Sequence, residues 1–359
     1  MTSVISETVP TPRPDEPPSL SVIVPVYNGQ GWIGRCLTSV RDALDVSGLT
    51  DVEIIVVDDG STDGTVDEAT SASVGALALR VVSQPNSGRF LARRHGLDVA
   101  TKEYVLFVDV RVFIDRDALR FVADRLSRPD EAVWTSHVEA NTDESYFAGF
   151  WQAIEHVVWR RYWRQPRTTS FGLSEFDYFP KGTTALVAPR QALLDAFDAF
   201  EPIVDDWSKV NDDTAVLRWV AERYRINISP QYSSRYHARA DLRAFLRHAF
   251  HRGTVLIDGY LRPGTRFAVP IVAVLAVSPV AAVVVLRHPI RAARAAVAGS
   301  ALLGIGARTL GARSKDATVL ATLAVPFGVA YLAGLWRGAA MRARSARRTR
   351  AGARRGSSL

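Results

Sequence analysis

The sequence predicts an α/β domain with a mostly parallel sheet, followed by C-terminal transmembrane helices. Three observations lead there. Before residue 130, short apolar runs rich in Val and Ile alternate with segments of helical spacing. The runs are continuously apolar, as strands covered on both faces are. Residues 267–286 and 317–336 are two stretches of 20 residues without a charge. Each is long enough to cross a hydrocarbon core of about 30 Å.

The elements follow in order. Residues 1–18 are polar and proline-rich, lack the apolar centre of a signal peptide, and read as a disordered leader. "LSVIVPVYN" (20–28) reads as a buried strand. "GWIGRCLTSVRDAL" (31–44) then places Ile33, Leu37, Val40 and Leu44 at helical spacing. "VEIIVVDD" (52–59) is the second strand, "TVDEATSASV" (65–74) begins a helix, and "LALRVVSQ" (77–84) is the third strand. "GRFLARRHGLDVA" (88–100) is helical, "EYVLFVDV" (103–110) is the fourth strand, and "DRDALRFVADRL" (115–126) is a helix with acids in its first turn. "KVNDDTAVLRWVAERY" (209–224) turns helical after an acid pair. The expected organisation is a leader (1–18), an α/β domain (19–255, with halves 19–128 and 129–255), a membrane region (256–337) and a basic tail (338–359).

Charge and cysteine content narrow the setting. A single cysteine, Cys36, excludes an intrachain disulfide. The net charge of +7 is uneven, with eight arginines and no acid between Arg337 and Arg355. Such a run after a membrane span meets anionic lipid, at about 1 kcal/mol per charge near the surface. A nucleic-acid partner is not expected. Residues 287–315 hold a shorter apolar stretch flanked by arginines, read as interfacial or as a short third span. Two spans, 267–286 and 317–336, return the tail to the side of the α/β domain, as the positive-inside rule asks. The expected location is therefore the cell membrane, multi-pass, with domain and tail cytoplasmic.

The polar residues at strand ends carry the chemistry. Asn28, Asp58, Asp59 and Asp109 all fall at carboxyl ends of expected strands, where open α/β sheets bind ligands. Several carboxylates on one edge repel one another unless a cation or a donor-rich ligand sits among them. For any single residue a plainer reading stands beside this one: Asp59 and Ser61 also suit a turn before a helix.

The strings "SVIVPVYNGQGWIGRCLTSV", "EIIVVDDGSTDGT" and "NSGRFLARRHGLDVATKEYVLFVDV" together resemble the family 2 glycosyltransferases of the GT-A fold, over about residues 20–250. The resemblance implies inverting transfer of a sugar from a nucleotide-sugar donor to a glycan or lipid-linked acceptor at the membrane, in polysaccharide or cell-envelope glycan synthesis. It implies that Pro25, Tyr27 and Asn28 border the nucleotide and that Asp58 and Asp59 contact base and ribose. Arg93, in "ARRHG", would sit near the donor phosphates; a solvated helix face is the other reading. Asp213 would be the base that takes the acceptor's proton, with Asp212 its companion. The plainer reading of this pair is an N-cap with acids that suit the helix dipole.

One position departs from the family. Its Asp-any-Asp after the fourth strand is Asp109, Val110, Arg111 here. An arginine repels the divalent metal (Mg²⁺ or Mn²⁺) that the second acid would hold, which puts that cofactor in doubt. Three explanations are open. Arg111 neutralises the leaving diphosphate itself, Asp109 holds a metal with help from Asp115, or catalysis is lost. Two other functions also stand: a catalytically silent nucleotide-sugar-binding scaffold and a polyprenyl-phosphate glycosyltransferase. In the second half, Gly182, Thr183 and Thr184 let a substrate approach the backbone. The aromatic stripe of residues 150–167 suits either core packing or a membrane interface. The basic segment 236–253 suits phosphate contacts or the bilayer surface, and His237 suits phosphate or a structural role.

Overall fold

Residues 18–202, 206–207, 210, 213–261, 265 and 267–356 are described by the structure, a computed structural model. The leader expected over 1–18 lies almost wholly outside the described residues.

Strand β1 (Leu20–Val26), helix α1 (Ile33–Leu44), β2 (Val52–Asp58), α2 (Thr65–Thr70), β3 (Ala78–Ser83), α3 (Arg89–Val99) and β4 (Tyr104–Val108) alternate as the sequence pattern requires. Then come β5 (Val112–Ile114), α4 (Ala118–Leu126), β6 (Val133–Thr135) and β7 (His137–Ala140). Helices α5 (Tyr146–Val158) and α6 (Arg160–Trp163) lead to β8 (Thr169–Phe171), β9 (Ala185–Pro189), α7 (Arg190–Asp198), α8 (Thr214–Arg223), β10 (Ile226–Ile228) and β11 (Ser233–Tyr236). Four helices close the chain: α9 (Leu242–Tyr260), α10 (Ala268–Arg287), α11 (Pro289–Thr309) and α12 (Ser314–Gly356).

Eight strands form one sheet in the order β3-β2-β1-β4-β9-β6-β10-β8. The first four are parallel and buried on both faces, except β3, which lies at the edge and exposes alternate residues. β9 runs antiparallel to both β4 and β6, so the sheet is mixed. A small sheet, β5-β11-β7, stands beside it.

The register opens a crevice. β1 pairs with β2 as far as Val26–Asp58, but with β4 only as far as Ile23–Phe107. Pro25, buried within β1, has no N–H to offer a ladder, and the two strands part there. This is also where strand order reverses, β2 and β3 lying to one side of β1 and β4 to the other. Ligands of open α/β sheets bind at such a switch point.

The C-terminal helices differ from expectation. Three helices, not two, are long and apolar enough to cross a membrane: Ala268–Arg287, Pro289–Thr309 and the Ser314–Arg347 part of α12. The stretch read as interfacial, or as a short third span, is a continuous helix. Its arginines, Arg291, Arg294 and Arg308, lie near its ends and leave a long apolar middle. α12 is also longer than the expected span 317–336 and packs along α9 and α5. The aromatic stripe of α5 is part of that joint: Phe150 and Trp151 are buried with Phe245 of α9 and Val319, Leu320 and Leu323 of α12.

Candidate active site

Three groups of side chains border the crevice. The first closes the ends of β1 and β2. Asn28 adopts a left-handed φ of 50°, tolerable for Asn. Its N–H donates to Ser61 Oγ (2.9 Å), and its side-chain oxygen accepts from Thr62 N–H (2.8 Å). Asp58 accepts from Ser61 N–H at 3.0 Å. Tyr27 is exposed. Asp59 behaves differently from its neighbour. Its carboxylate accepts from Gln84 Nε2 (2.8 Å), Ser87 N–H (2.8 Å) and Gly88 N–H (2.9 Å). It ties the loop before α3 to the sheet, a structural task the sequence reading did not assign it.

The second group joins the end of β4 to the start of α8. Arg93, on α3, is fully buried. One guanidinium nitrogen lies 2.6 Å from Asp109 Oδ1 and another 3.6 Å from Asp213 Oδ1. The solvated-face reading of Arg93 is therefore wrong; its neighbour Arg94 takes that role, paired with Asp98 and Asp198. Thr184 Oγ1 donates to Asp109 Oδ2 (3.4 Å), and Thr183 donates from both N–H (3.4 Å) and hydroxyl to Asp213. Asp213 does sit at the N-cap of α8, but its side chain makes no cap bond; it is turned to Thr183 and Arg93. Asp212 lies outside the described residues. The two carboxylates stay reachable, with side chains 26% (Asp109) and 37% (Asp213) exposed, while Arg93 is at 0%. Burial pushes the Asp213 carboxyl up, but Arg93, Arg89 and the Thr183 hydroxyl outweigh it and hold it below the usual carboxylate range.

The third group surrounds Trp32, which the sequence reading missed. Arg111, half-buried, stacks its guanidinium 4.1 Å over the Trp32 ring, and Arg35 lies 5.0 Å from the same ring. Arg35 has Glu144 at 3.7 Å, whereas Arg111 has no carboxylate partner among the described residues. Burial and the nearby Arg239 lower the Arg111 pKa. His237 is structural: buried, 2.6 Å from Glu144, and packed 4.2 Å from Phe113. Its backbone N–H donates to the Arg111 carbonyl at 2.8 Å, holding the turn before β5 that presents the arginine.

No three of His, Cys, Asp and Glu gather around a common point among the described residues. Asp109 is already engaged by Arg93, and Asp115 instead accepts from Ser233 Oγ at 2.5 Å.

The model of Glycosyl transferase family 2 matches residues 21–186, which include the first group, Arg93, Asp109 and Arg111. Residues 21–186 are a family 2 glycosyltransferase domain. The family 2 match ends before Asp213 and α9. Among curated relatives, Escherichia coli (strain K12) "Uncharacterized glycosyltransferase YibD" is 40% identical over 90 residues, 25% of either chain. Bacillus subtilis (strain 168) "Putative glycosyltransferase EpsH" is 22% identical over 245 residues, 68% of either chain. The first alignment thus spans a quarter of its relative's length and the second about two thirds. The mannosyltransferase PcManGT of Pyrobaculum calidifontis, solved with GDP-Man and Mn²⁺, shares the fold, with a TM-score of 0.56, 20% identity and 89% of each chain covered. The family 2 domain thus has the GT-A-like fold the sequence led one to expect, with antiparallel pairings at β9 and β8 added to the parallel sheet.

Proposed function

We propose that this protein transfers a sugar from a nucleotide-sugar donor to an acceptor hydroxyl at the cytoplasmic face of a membrane, with inversion. The observation that carries the reading is the buried Arg93 between Asp109 and Asp213. It gathers one carboxylate from the donor side of the sheet and one from the helix beyond it. The GDP-Man in the PcManGT structure supports a nucleotide-sugar as donor class.

In this reading the nucleotide lies against Tyr27, Asn28 and Asp58 at the ends of β1 and β2. The acceptor oxygen attacks the anomeric carbon while its proton passes to Asp213. The bond from that carbon to the diphosphate breaks, and the diphosphate leaves with the electron pair. Arg93 is consumed by two acids, so it positions them rather than meeting phosphate. Arg111 is the cation available for the leaving group. No step is routed through a metal, because Asp109 is engaged by Arg93 and Arg111 stands two residues beyond it where a second acid would be.

A panel of nucleotide-sugars assayed with Mg²⁺, with Mn²⁺ and with chelator tests this. Transfer is expected to persist in chelator and to fall in Arg111→Met. Asp213→Asn is expected to keep donor affinity and lose about 10²–10⁴-fold in turnover. Unchanged turnover in Asp213→Asn would assign the domain to donor binding alone, and strict metal dependence would remove Arg111 from the mechanism.

A further inference from the structure

α12 carries enough apolar residues to cross a bilayer, yet its contacts say otherwise. Near its first residues, Lys315 Nζ donates to the Thr142 carbonyl (3.2 Å), and Asp316 is buried beside Gly149 of α5. In its middle, the Phe327 ring lies tilted 4.5 Å from that of Phe150 of α5. Farther on, a Cβ on Gly334 would fall on the Phe250 carbonyl and one on Gly338 on the Thr254 carbonyl, so α12 and α9 touch backbone to backbone. Beyond them Arg342 donates to the Leu261 carbonyl at 2.8 Å. From Lys315 to Arg342 the helix is about 40 Å long at 1.5 Å per residue. That exceeds the hydrocarbon thickness of about 30 Å, and both ends touch the catalytic domain, Lys315 at Thr142 and Met341 against its core. For α12 to cross, α9 would have to cross beside it. α9 carries Arg243, Arg247, His248, His251, Arg252 and Asp258, which hydrocarbon does not accept.

The other side of α12 is largely open, apart from a hydrogen bond of 2.6 Å between the Thr322 and Tyr146 hydroxyls and the contact of Trp336 with α10. Thr318, Thr322, Val325, Val329, Ala333 and Trp336 form one exposed stripe at helical spacing, with Val325 45%, Val329 68% and Trp336 46% exposed. The stripe holds no charge, and exposed Arg313, Lys315, Arg337 and Arg344 flank its two ends. An uncharged stripe bounded by cations matches a lipid surface with anionic headgroups. The adjoining α10 is apolar all round and almost wholly exposed, and its Ser278 Oγ accepts from Trp336 Nε1 at 3.0 Å.

We propose that α12 lies in the plane of the membrane as the face on which the catalytic domain rests on anionic lipid, and that the domain and the C-terminal tail share one side. α10 and α11 leave α12 near Leu335 and return to it near Ala317 and Ala321, so they enter and exit together. The proposal concerns placement alone; the experiment reads no turnover, and its failure leaves the transfer reaction standing.

The full chain suits cysteine labelling, because Cys36 is buried and burial pushes its thiol pKa up. Thr318→Cys, Val325→Cys, Val329→Cys and Trp336→Cys each take a nitroxide in vesicles containing anionic lipid. Depth is read from relaxation by oxygen against an aqueous agent. Equal, shallow depths at all four positions are expected. A profile that deepens toward mid-helix and rises again would overturn the proposal, as would labels that meet only water while the protein pellets with lipid. In sealed vesicles, an impermeant maleimide is expected to reach Ala340→Cys and Thr38→Cys from the same side; opposite sides would equally overturn it.

Discussion

A buried guanidinium between two reachable carboxylates sets their charge and their positions together. In the proposed mechanism Asp213 must be ionised to accept a proton, and its partners keep it ionised below the usual range. Activity that depends on Asp213 should therefore hold to unusually low pH. Thr183→Val removes one of the stabilising donors at nearly constant shape. The acid limb of its kcat/KM profile should move to higher pH, with donor affinity unchanged. Glu155, on α5, gives a prediction of opposite sign. Burial pushes its carboxyl from an ordinary value of 4.5 up to about 7, against the pull of Arg252. The folded state then holds a proton that the unfolded state has released, so this contribution is present below about 4.5 and lost as pH rises to about 7. Glu155→Gln should raise the Tm at pH 8 by roughly 2–4 °C and leave it unchanged at pH 4, read by thermal melts of both proteins. The place of several candidate-site residues was legible, because Asp58 and Asp109 stand where apolar runs end and Asp213 where a helix begins. The bond network was not. Nothing in "GTTA" says that Thr183 and Thr184 turn to two different acids, and nothing in "GWIG" places Trp32 beneath Arg111.

At the scale of elements, period and length decided most assignments. Strands β1 to β4 and the helices between them follow directly from apolar runs and helical spacing. Direction was hidden: nothing in the composition of β9 shows that it runs opposite to its neighbours β4 and β6. The α9–α12 joint was hidden for a related reason. Gly334 and Gly338 sit in a segment whose composition suits lipid, while their packing partners lie on a charged helix far back in the chain. Adding volume there should be felt at once. Gly334→Ala drives a methyl group into the Phe250 carbonyl and should cost about 1–3 kcal/mol, seen as a lowered Tm in detergent. The same change at Gly306, which faces open space, should be nearly silent.

For the whole molecule, the apolar C-terminal helices predict that the protein pellets with membranes after a carbonate wash. They also predict that the catalytic domain cannot be freed by simple truncation. Ending the chain before Ser314 uncovers Phe150, Trp151 and Phe245, so the shortened protein should aggregate or melt at lower temperature, as light scattering would show. The sequence announced a membrane region from its composition, but its partition between lipid and protein depends on which face of α12 meets α5 and α9. That layout has an effect on biosynthesis. α12, which follows α10 and α11 in the chain, supplies part of the wall against which α5 and α9 settle. The joint around Phe150 therefore cannot close until the two apolar helices that precede α12 have been made, so this part of the core is expected to form after them.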